Sequence, residues 1–163
     1  MGLLTQLLHN RKALIGVTIL AIVILVAVFA PVLTEYSPTQ RVGRPHQPPS
    51  AEHWLGTTRL GYDVFTRLLY GARVSLAVGF GAGLLITVIG TVLGIIAGYK
   101  SGVIDEVITF FTNVILVIPN LPLLLVLAAF IGQASPLVIA VILGFTSWAW
   151  GVRVTRSETL SIR

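Results

Sequence analysis

The stretch SLAVGFGAGLLITVIGTVLGIIAGY, residues Ser75–Tyr99, contains no charged side chain. It is longer than the ~20 residues that a helix needs to cross the ~30 Å hydrocarbon core of a bilayer. A similar run, ALIGVTILAIVILVAVFAPVL, covers Ala13–Leu33. In lipid, backbone N–H and C=O groups must be bonded within the chain, so each run is predicted to be a membrane-spanning helix.

The composition agrees with a membrane protein. Charged residues make up 10% of the chain and hydrophobic residues 55%, whereas a soluble domain carries about 25% charged residues. The net charge of +5 is interpreted as the lysine and arginine excess that orients helices in a bilayer. The expected partner is therefore the lipid bilayer, and no nucleic acid is expected to bind. Cysteine is absent and the three histidines are far apart in the sequence, which argues against a metal site.

Two more spans complete the predicted fold. Val107–Ile131 is mostly apolar but is interrupted by IPNLP, whose prolines predict a kink near Ile118. Pro136–Val152 is a shorter apolar run that includes two tryptophans, a residue type common at the membrane interface. Turns are predicted at Lys100–Glu106 and Gly132–Ser135. The predicted fold class is an all-α polytopic membrane protein with four transmembrane helices.

Three regions are predicted along the chain: a cytoplasmic tail and first helix at 1–34, an external linker and amphipathic helix at 35–73, and a membrane core at 74–163. Arg11 and Lys12 precede the first helix, so the N-terminus is predicted to be cytoplasmic. The linker is rich in proline and is expected to be extended and irregular. Arg59–Tyr70 has apolar residues at helical spacing and is predicted to be a short external helix, after which Gly71 lets the chain turn into the next span.

Small residues follow one face of the second span. Gly90, Gly94 and Gly98 stand four residues apart, and Gly83 continues roughly the same face. Glycine at this spacing lets two membrane helices approach closely, because no side chain separates their backbones. These four residues are therefore predicted to form a helix-packing seam without a chemical role.

Polar residues and a proline interrupt the third span. Asn113, Pro119 and Asn120 lie in an otherwise largely apolar segment, where an amide is costly unless it meets a polar partner or water. Two interpretations stay open: the asparagines bond to neighbouring helices, or they line a passage for polar solutes.

No constellation of catalytic residues is apparent. None of the six acidic residues lies deep in an apolar run, and there is no G-x-x-x-x-G-K-[ST] loop to bind nucleotide phosphates. The chain is therefore predicted not to be an enzyme. If it moves a solute at the expense of ATP, another subunit must bind the ATP.

The external motif LGTTRLGYDVFTRLLYGARVSL, Leu55–Leu76, closely resembles a hallmark of permease subunits in ABC importers of the dipeptide, oligopeptide and nickel class. The resemblance is to the second of their two related permeases, the C-type. GYKSGVIDEV and VIPNLPLLLVLAAFIG resemble the second-to-third helix turn and the third helix of these subunits, and Trp148–Arg163 resembles the end of their fourth helix. The motif residues matched are Gly56, Thr57, Gly61, Asp63, Arg67, Gly71 and Arg73.

Most departures of the chain from the family pattern replace a charged residue with an uncharged one. Thr58 stands where the family usually has aspartate, and Tyr62 where it usually has arginine. In the third span, Phe110 stands where arginine is common and Asn113 where aspartate is common. Each loss pairs an acid with a base, so a lost ion pair is expected rather than a lost function. Thr66 in place of the common serine is a mild change.

The resemblance implies a subunit of an ATP-driven importer, most often of di- or oligopeptides, that forms the translocation pathway by alternating access with a homologous second permease. It also implies two ATP-binding cassette ATPases and an external substrate-binding protein as partners at the cell membrane. ATP and magnesium would be used by the ATPases, and this chain is expected to bind no cofactor. Asn113, Pro119 and Asn120 would lie on the pathway or on a surface between subunits.

The resemblance further implies a longer protein. Family members look like six-helix subunits of nearly twice this length, with a coupling loop after the fourth helix that docks on the ATPase. Arg153 and Arg156 are expected to lie on the approach to that loop, and the chain is expected to be truncated before it. The alternatives are a small membrane scaffold or assembly protein, a self-sufficient channel, and a truncated permease fragment without function.

Overall fold

The computed structural model describes residues 10–132 and 135–162. The predicted cytoplasmic tail before residue 10, the centre of the predicted turn at Gly132–Ser135, and Arg163 lie outside the described residues. The chain divides into two compact units, Met1–Leu76 and Ala77–Arg163. The described helices are α1 (Arg11–Leu33), α2 (Val64–Lys100), α3 (Gly102–Val117), α4 (Asn120–Ile131) and α5 (Pro136–Ile162).

The first predicted span is confirmed as α1. Its start is capped by Asn10, whose side-chain oxygen accepts hydrogen bonds from the backbone N–H groups of Lys12 and Ala13 at 3.1 and 3.3 Å. Within the apolar run, the hydroxyl of Thr18 donates to the carbonyl oxygen of Leu14 at 2.8 Å, so it needs no water. Most of the large apolar side chains of α1 are exposed, as expected for a helix surrounded by lipid.

One long helix replaces two predicted elements. The separate amphipathic helix predicted at Arg59–Tyr70 and the turn predicted at Gly71 are wrong. Helix α2 runs without a break through this region, and the residues before Val64 form turns and isolated bridges. Asp63 caps the helix by accepting a hydrogen bond from the backbone N–H of Thr66 at 2.7 Å. A glycine inside a helix costs about 1 kcal/mol relative to alanine, which is too little to end a helix whose other backbone bonds are intact.

The predicted kink in the third span is confirmed, although the span begins earlier than predicted. Only Ser101 separates α3 from α2, so the turn predicted at Lys100–Glu106 is much shorter than expected. The chain bends by 80° between α3 and α4. Ile118 has an extended backbone there, because the proline that follows disfavours the helical region. Pro119 lies between the helices, and Pro122 falls in the first turn of α4, where its missing N–H interrupts no helical bond.

The fourth span continues beyond its predicted end. The apolar run stops near Val152, but α5 continues through the basic segment to Ile162. The prediction of a short helix is wrong because a change to polar side chains does not by itself end a helix. The segment after Val152 contains no proline or glycine, and Arg153 and Arg156 bond to partners on α3.

In the unit Ala77–Arg163, α2 and α5 run parallel to each other. Their contacts advance together along both helices: Gly81 lies against Ala140, Gly90 against Gly151, and Gly98 against Thr159. The chain between α2 and α5 must therefore return across the same thickness, which favours the α3–α4 pair as one broken span. Three described helices are long and apolar enough to cross a membrane, and a fourth span results when this bent pair is counted as one. The all-α polytopic fold is thus confirmed.

In the unit Met1–Leu76, the segment 34–63 folds between α1 and the start of α2. Its pairing within this described segment is limited to two isolated antiparallel bridges, Arg41 with Tyr62 and Thr57 with Asp63. The segment is irregular, as predicted for its proline-rich part, but it is not extended. Hydrogen bonds from Val42 to the carbonyl oxygen of Gly61 at 2.8 Å, and others like it, fasten the linker to the external motif.

Candidate functional site

A two-point ion pair joins α3 to α5. Arg156 donates from Nε to Oδ1 of Asp105 at 2.5 Å and from Nη2 to Oδ2 at 2.6 Å. Thr109, one turn along α3, donates to the same carboxylate at 3.2 Å. The side chains of Arg156 and Asp105 are 33% and 17% exposed, so the pair is partly screened from water. The family resemblance predicted that Arg156 lies near the coupling loop but not that it pairs with Asp105, because the two residues are far apart in sequence and no periodicity relates them.

Both predicted asparagines bond to α5. Asn113 accepts a hydrogen bond from Nη2 of Arg153 at 2.8 Å, and Asn120 donates to the hydroxyl of Ser147 at 3.2 Å. An aspartate, the residue common at position 113 in the family, could accept the same hydrogen bond from Arg153. Asn113 therefore keeps a contact to this arginine without carrying a negative charge. Pro119, at the bend, immediately precedes Asn120. These contacts fit the interpretation in which the asparagines bond to a neighbouring helix, and a role on a pathway stays a prediction.

A cavity of about 330 Å³ lies between α3 and α5. It is lined by Thr109, Thr112, Asn113, Val152, Arg153 and Arg156. Thr112 is buried, and its hydroxyl donates to the carbonyl oxygen of Ile108 at 2.7 Å. The cavity brings together the two arginines predicted near the coupling loop and one of the two asparagines, but not Pro119 or Asn120.

Three of the four predicted seam glycines lie against α5. A Cβ atom added at Gly90 would lie 3.0 Å from the Cα of Gly151. One added at Gly94 would lie 2.6 Å from the Cβ of Thr155, and one added at Gly98 would lie 2.6 Å from the Cβ of Thr159. Gly83 has no atom within 4 Å of such a position, so the structure does not bring it to this contact. Further along the helices, Gly144 of α5 fits against Leu85 of α2, a pairing that the glycine spacing on α2 alone could not reveal.

The external motif is built around a buried polar cluster. Asp63, which is 4% exposed, lies 3.0 Å from Nδ1 of His53 and caps α2 through the backbone of Thr66. The buried hydroxyl of Thr66 shares a 2.6 Å hydrogen bond with the hydroxyl of Thr34, the residue that follows α1. The cluster therefore ties the end of α1 to the motif and to the start of α2. His53 was considered in the sequence only as a metal ligand and was set aside, although it lies two residues before the motif.

Asp63 is held in its charged form. Burial by itself would raise the pKa of this carboxyl, but hydrogen bonds from the backbone N–H and hydroxyl of Thr66 and from His53 outweigh burial and hold the pKa below its ordinary value. The carboxylate also lies at the N-terminus of α2, where the helix dipole favours negative charge. The motif aspartate thus has a structural role that follows from its position before the helix.

Two motif glycines and a threonine shape the turns before α2. Gly56 and Gly61 have φ angles of 72° and 78°, in the left-handed region that glycine adopts without strain. A Cβ atom at either position would also collide with a backbone carbonyl oxygen of the linker. Thr57 is buried, donates to the carbonyl oxygen of Arg44 at 2.6 Å and accepts from the backbone N–H of Gln47 at 2.9 Å. These residues explain why the linker is folded onto the motif.

The two departures in the external motif have local contacts of their own. The hydroxyl of Thr58 accepts hydrogen bonds from the backbone N–H groups of Leu60 and Tyr62 at 3.3 and 3.1 Å, and an aspartate side chain can form the same kind of turn. The guanidinium of Arg67 lies 5.2 Å from the ring centroid of Tyr62, within the range of a cation–π contact. Arg73 is exposed on α2. Thr58 and Tyr62 therefore each make contacts that contribute to the fold of the motif.

Comparison with known proteins covers nearly the whole chain. Residues 3–49 match the family described as the N-terminal TM domain of oligopeptide transport permease C, and residues 90–163 match the family described as binding-protein-dependent transport system inner membrane component. The two family matches include α1, the last part of α2 from residue 90 onward, and all of α3 to α5.

Individual relatives also align across the external motif. The chain is 39% identical over 163 residues to the dipeptide transport system permease protein DppC of Alkalihalophilus pseudofirmus, covering 97% of this chain and 52% of the relative. It is 38% identical over 159 residues to the protein of the same name from Bacillus subtilis, covering 97% and 49%. It is 32% identical over 155 residues to the oligopeptide transport system permease protein OppC of Bacillus subtilis, covering 94% and 50%. The chain spans about half the length of these relatives.

The similarity and the structure agree with each other. The matched regions form apolar membrane helices, and the external motif forms the ordered cap from which α2 begins. The chain is therefore similar along almost its whole length to inner-membrane permease components of binding-protein-dependent transport systems, and the relatives named above are C-type permeases of dipeptide and oligopeptide transport.

Proposed function

We propose that this chain forms part of a permease subunit in an ATP-driven importer of di- or oligopeptides. Together with a homologous second permease it forms a translocation pathway that opens alternately to the two sides of the cell membrane. The chain catalyses no reaction and binds no cofactor. Two separate ATPase subunits hydrolyse ATP with magnesium, and an external binding protein delivers the substrate.

The observation that carries this proposal is the similarity to dipeptide and oligopeptide permeases along almost the whole chain. The surface of the helices supports it. Many large apolar side chains of α3, α4 and α5 are exposed in this single chain, as expected for helices that pack against lipid or another membrane subunit.

The contacts between α3 and α5 suggest how the subunit responds to its ATPases. In the proposed machine, force reaches α5 from the cytoplasmic side, close to Arg153 and Arg156. The bidentate contact to Asp105 fixes both the distance and the orientation of the two side chains. A displacement of α5 would therefore be passed to α3 and, past the bend, to α4.

The N-terminus is proposed to be cytoplasmic. Arg11 and Lys12 stand at the start of α1, and short basic flanks of this kind stay on the cytoplasmic side. Four crossings then place Lys100 and the basic end of α5 on the cytoplasmic side and the segment 34–63 outside. The parallel contact of α2 and α5 supports this arrangement, since Gly98 lies against Thr159 near the ends of both helices.

The proposal is tested by purifying the affinity-tagged chain from the membranes of its own host in mild detergent. A second permease of the same family and ATP-binding cassette ATPases should be recovered with it. ATP hydrolysis by this complex should rise when an external binding protein loaded with a dipeptide is added. Recovery of the chain without any ATPase, in detergents that preserve known importers, would contradict the proposal and favour a scaffold role.

A further inference from the structure

We propose that Arg153 and the cavity between α3 and α5 bind the phosphate group of an anionic phospholipid. Two cavities meet at this arginine. One is the cavity of about 330 Å³ described above, and the other, of about 300 Å³, is lined by Trp150, Arg153, Val154, Ser157 and Glu158. Lipid binding at this place goes beyond the proposed transport function and concerns where the subunit meets the membrane.

The charges around the cavity leave Arg153 uncompensated. Arg156 is neutralised by Asp105. Within the described residues, the hydrogen-bond partner of the Arg153 guanidinium is the uncharged amide of Asn113. Glu158 lines the neighbouring cavity but makes no ion pair with Arg153 in the described part of the chain. A positive charge at the end of an apolar run is costly unless it meets an anion or the headgroup region.

The polar hydrogens around the cavity are suited to an oxyanion. A guanidinium has five N–H donors, and Asn113 accepts from Nη2 of Arg153. The amide nitrogen of Asn113 has no acceptor among the described residues. The hydroxyls of Thr109 and Thr112 already donate to Asp105 and to a helix carbonyl. The N–H donors without an acceptor among the described residues therefore belong to Arg153 and to the amide of Asn113. Such donors bind phosphate or carboxylate oxygens and repel cations.

The helix surface next to the cavity favours a lipid over a small soluble anion. Trp150, 69% exposed, stands one turn before Arg153, in the order expected at a membrane interface. Thr146, Ile142 and Ile139 continue the same side of α5 at helical spacing and are partly exposed. The hydroxyl of Thr146 donates to the carbonyl oxygen of Ile142 at 2.9 Å, so no free hydroxyl proton interrupts the stripe. An acyl chain can lie along this stripe while its phosphate contacts Arg153.

The test uses the fluorescence of Trp150 in the full chain carrying Trp54→Phe and Trp148→Phe. The protein is reconstituted in phosphatidylcholine vesicles that contain equal fractions of brominated phosphatidylglycerol or brominated phosphatidylcholine, whose acyl-chain bromines quench tryptophan. Brominated phosphatidylglycerol should be selected about fivefold over brominated phosphatidylcholine, the factor expected for one basic residue near anionic lipid.

Three variants separate the site from general attraction to basic protein. Arg153→Gln should reduce the selectivity to about one. Asn113→Asp should do the same with the arginine still present, because the new carboxylate neutralises it. Arg73→Gln removes an exposed arginine elsewhere on the chain and should retain the fivefold selectivity. Circular dichroism establishes that each variant keeps its helical content. If Arg153→Gln does not fold, the lipid selectivity of Asn113→Asp tests the site in its place.

Three results would overturn the proposal. Equal quenching by the two brominated lipids in the parent protein would show that no anionic lipid is selected. Selectivity that survives both Arg153→Gln and Asn113→Asp would place the site elsewhere. Selectivity that millimolar inorganic phosphate or a soluble dipeptide abolishes would identify a site for soluble oxyanions instead of lipid.

Discussion

Arg156 on α5 and Asp105 on α3 are joined by two parallel hydrogen bonds of 2.5 and 2.6 Å. The pair connects the start of one helix to the basic end of another, 51 residues later in the chain. Because two atoms of each side chain take part, the contact restricts rotation as well as separation. The two helices should therefore move together when force reaches α5.

Breaking this pair should destabilise the membrane bundle. Arg156→Gln and Asp105→Asn are each expected to lower the free energy of unfolding by about 2 kcal/mol, because each leaves the other charge partly buried without its partner. The double variant should lose less than the sum of the two single losses. Thermal unfolding in detergent, followed by circular dichroism, measures all three. Strictly additive losses would show that the two side chains do not interact.

The packing of α2 on α5 predicts opposite effects for two glycines of the same helix. Gly94→Ala should destabilise the chain by about 1–3 kcal/mol, since its Cβ would stand 2.6 Å from Thr155. Gly83→Ala is the matched control and should stabilise the helix by up to about 1 kcal/mol, because nothing lies within 4 Å of its Cβ position. Melting temperatures in one detergent provide the comparison. A loss of stability in Gly83→Ala equal to that in Gly94→Ala would contradict the placement of α5.

The external motif offers a second pair of glycines with different roles. Gly61 has a left-handed backbone and faces a linker carbonyl, so Gly61→Ala should expose the segment 34–63 to proteolysis. Gly71 lies inside α2 with open space around it, so Gly71→Ala should leave proteolysis unchanged and raise the melting temperature slightly. If Gly71→Ala were the destabilising change, the turn predicted there from the sequence would be right and the continuous helix wrong.

Acid should loosen the segment held by Asp63. The pKa of this carboxyl is lower in the folded chain than its ordinary value of 3.8, so its stabilising contribution is complete above that value. As the pH falls below it, the unfolded chain binds the proton more readily than the folded chain, and the contribution is lost through the lower, folded pKa. Asp63→Asn should remove this pH dependence and weaken the segment at neutral pH.

The acid transition can be followed through Trp54, whose ring lies 5.0 Å from that of Phe65. The fluorescence is recorded in a chain carrying Trp148→Phe and Trp150→Phe. Glu52→Gln removes an exposed carboxyl in the same segment and should leave the transition where it is. Coincident acid transitions for the parent and Asp63→Asn would rule out Asp63 as the group responsible.

The features that could be predicted from the sequence are those that depend on neighbours along the chain. The apolar runs identified the spans, and the proline after Ile118 identified the bend, because bilayer thickness and proline geometry act locally. The ends of the helices were harder to predict. The start of α2 depends on the Asp63 cap, and the continuation of α5 accompanies contacts to α3, neither of which an apolar pattern records.

The polar contacts were the features missed most often. Three of these contacts join residues whose separation along the chain follows no helical or strand period: Asp105 with Arg156, His53 with Asp63, and Thr34 with Thr66. A motif in a single sequence shows which residues occur but not which of them meet. Glycine spacing likewise identified a packing face on α2 but left the partner helix open.

The central proposal is that this chain forms part of the pathway of an ATP-driven peptide importer. The most direct measurement reconstitutes the complex purified through the tagged chain into vesicles with ATP inside and a dipeptide-loaded binding protein outside. The account predicts that radiolabelled dipeptide accumulates only with ATP, and that Arg156→Gln slows accumulation without changing the affinity of the binding protein for the dipeptide. Absence of ATP-dependent accumulation, in a complex whose ATPases hydrolyse ATP, would contradict it.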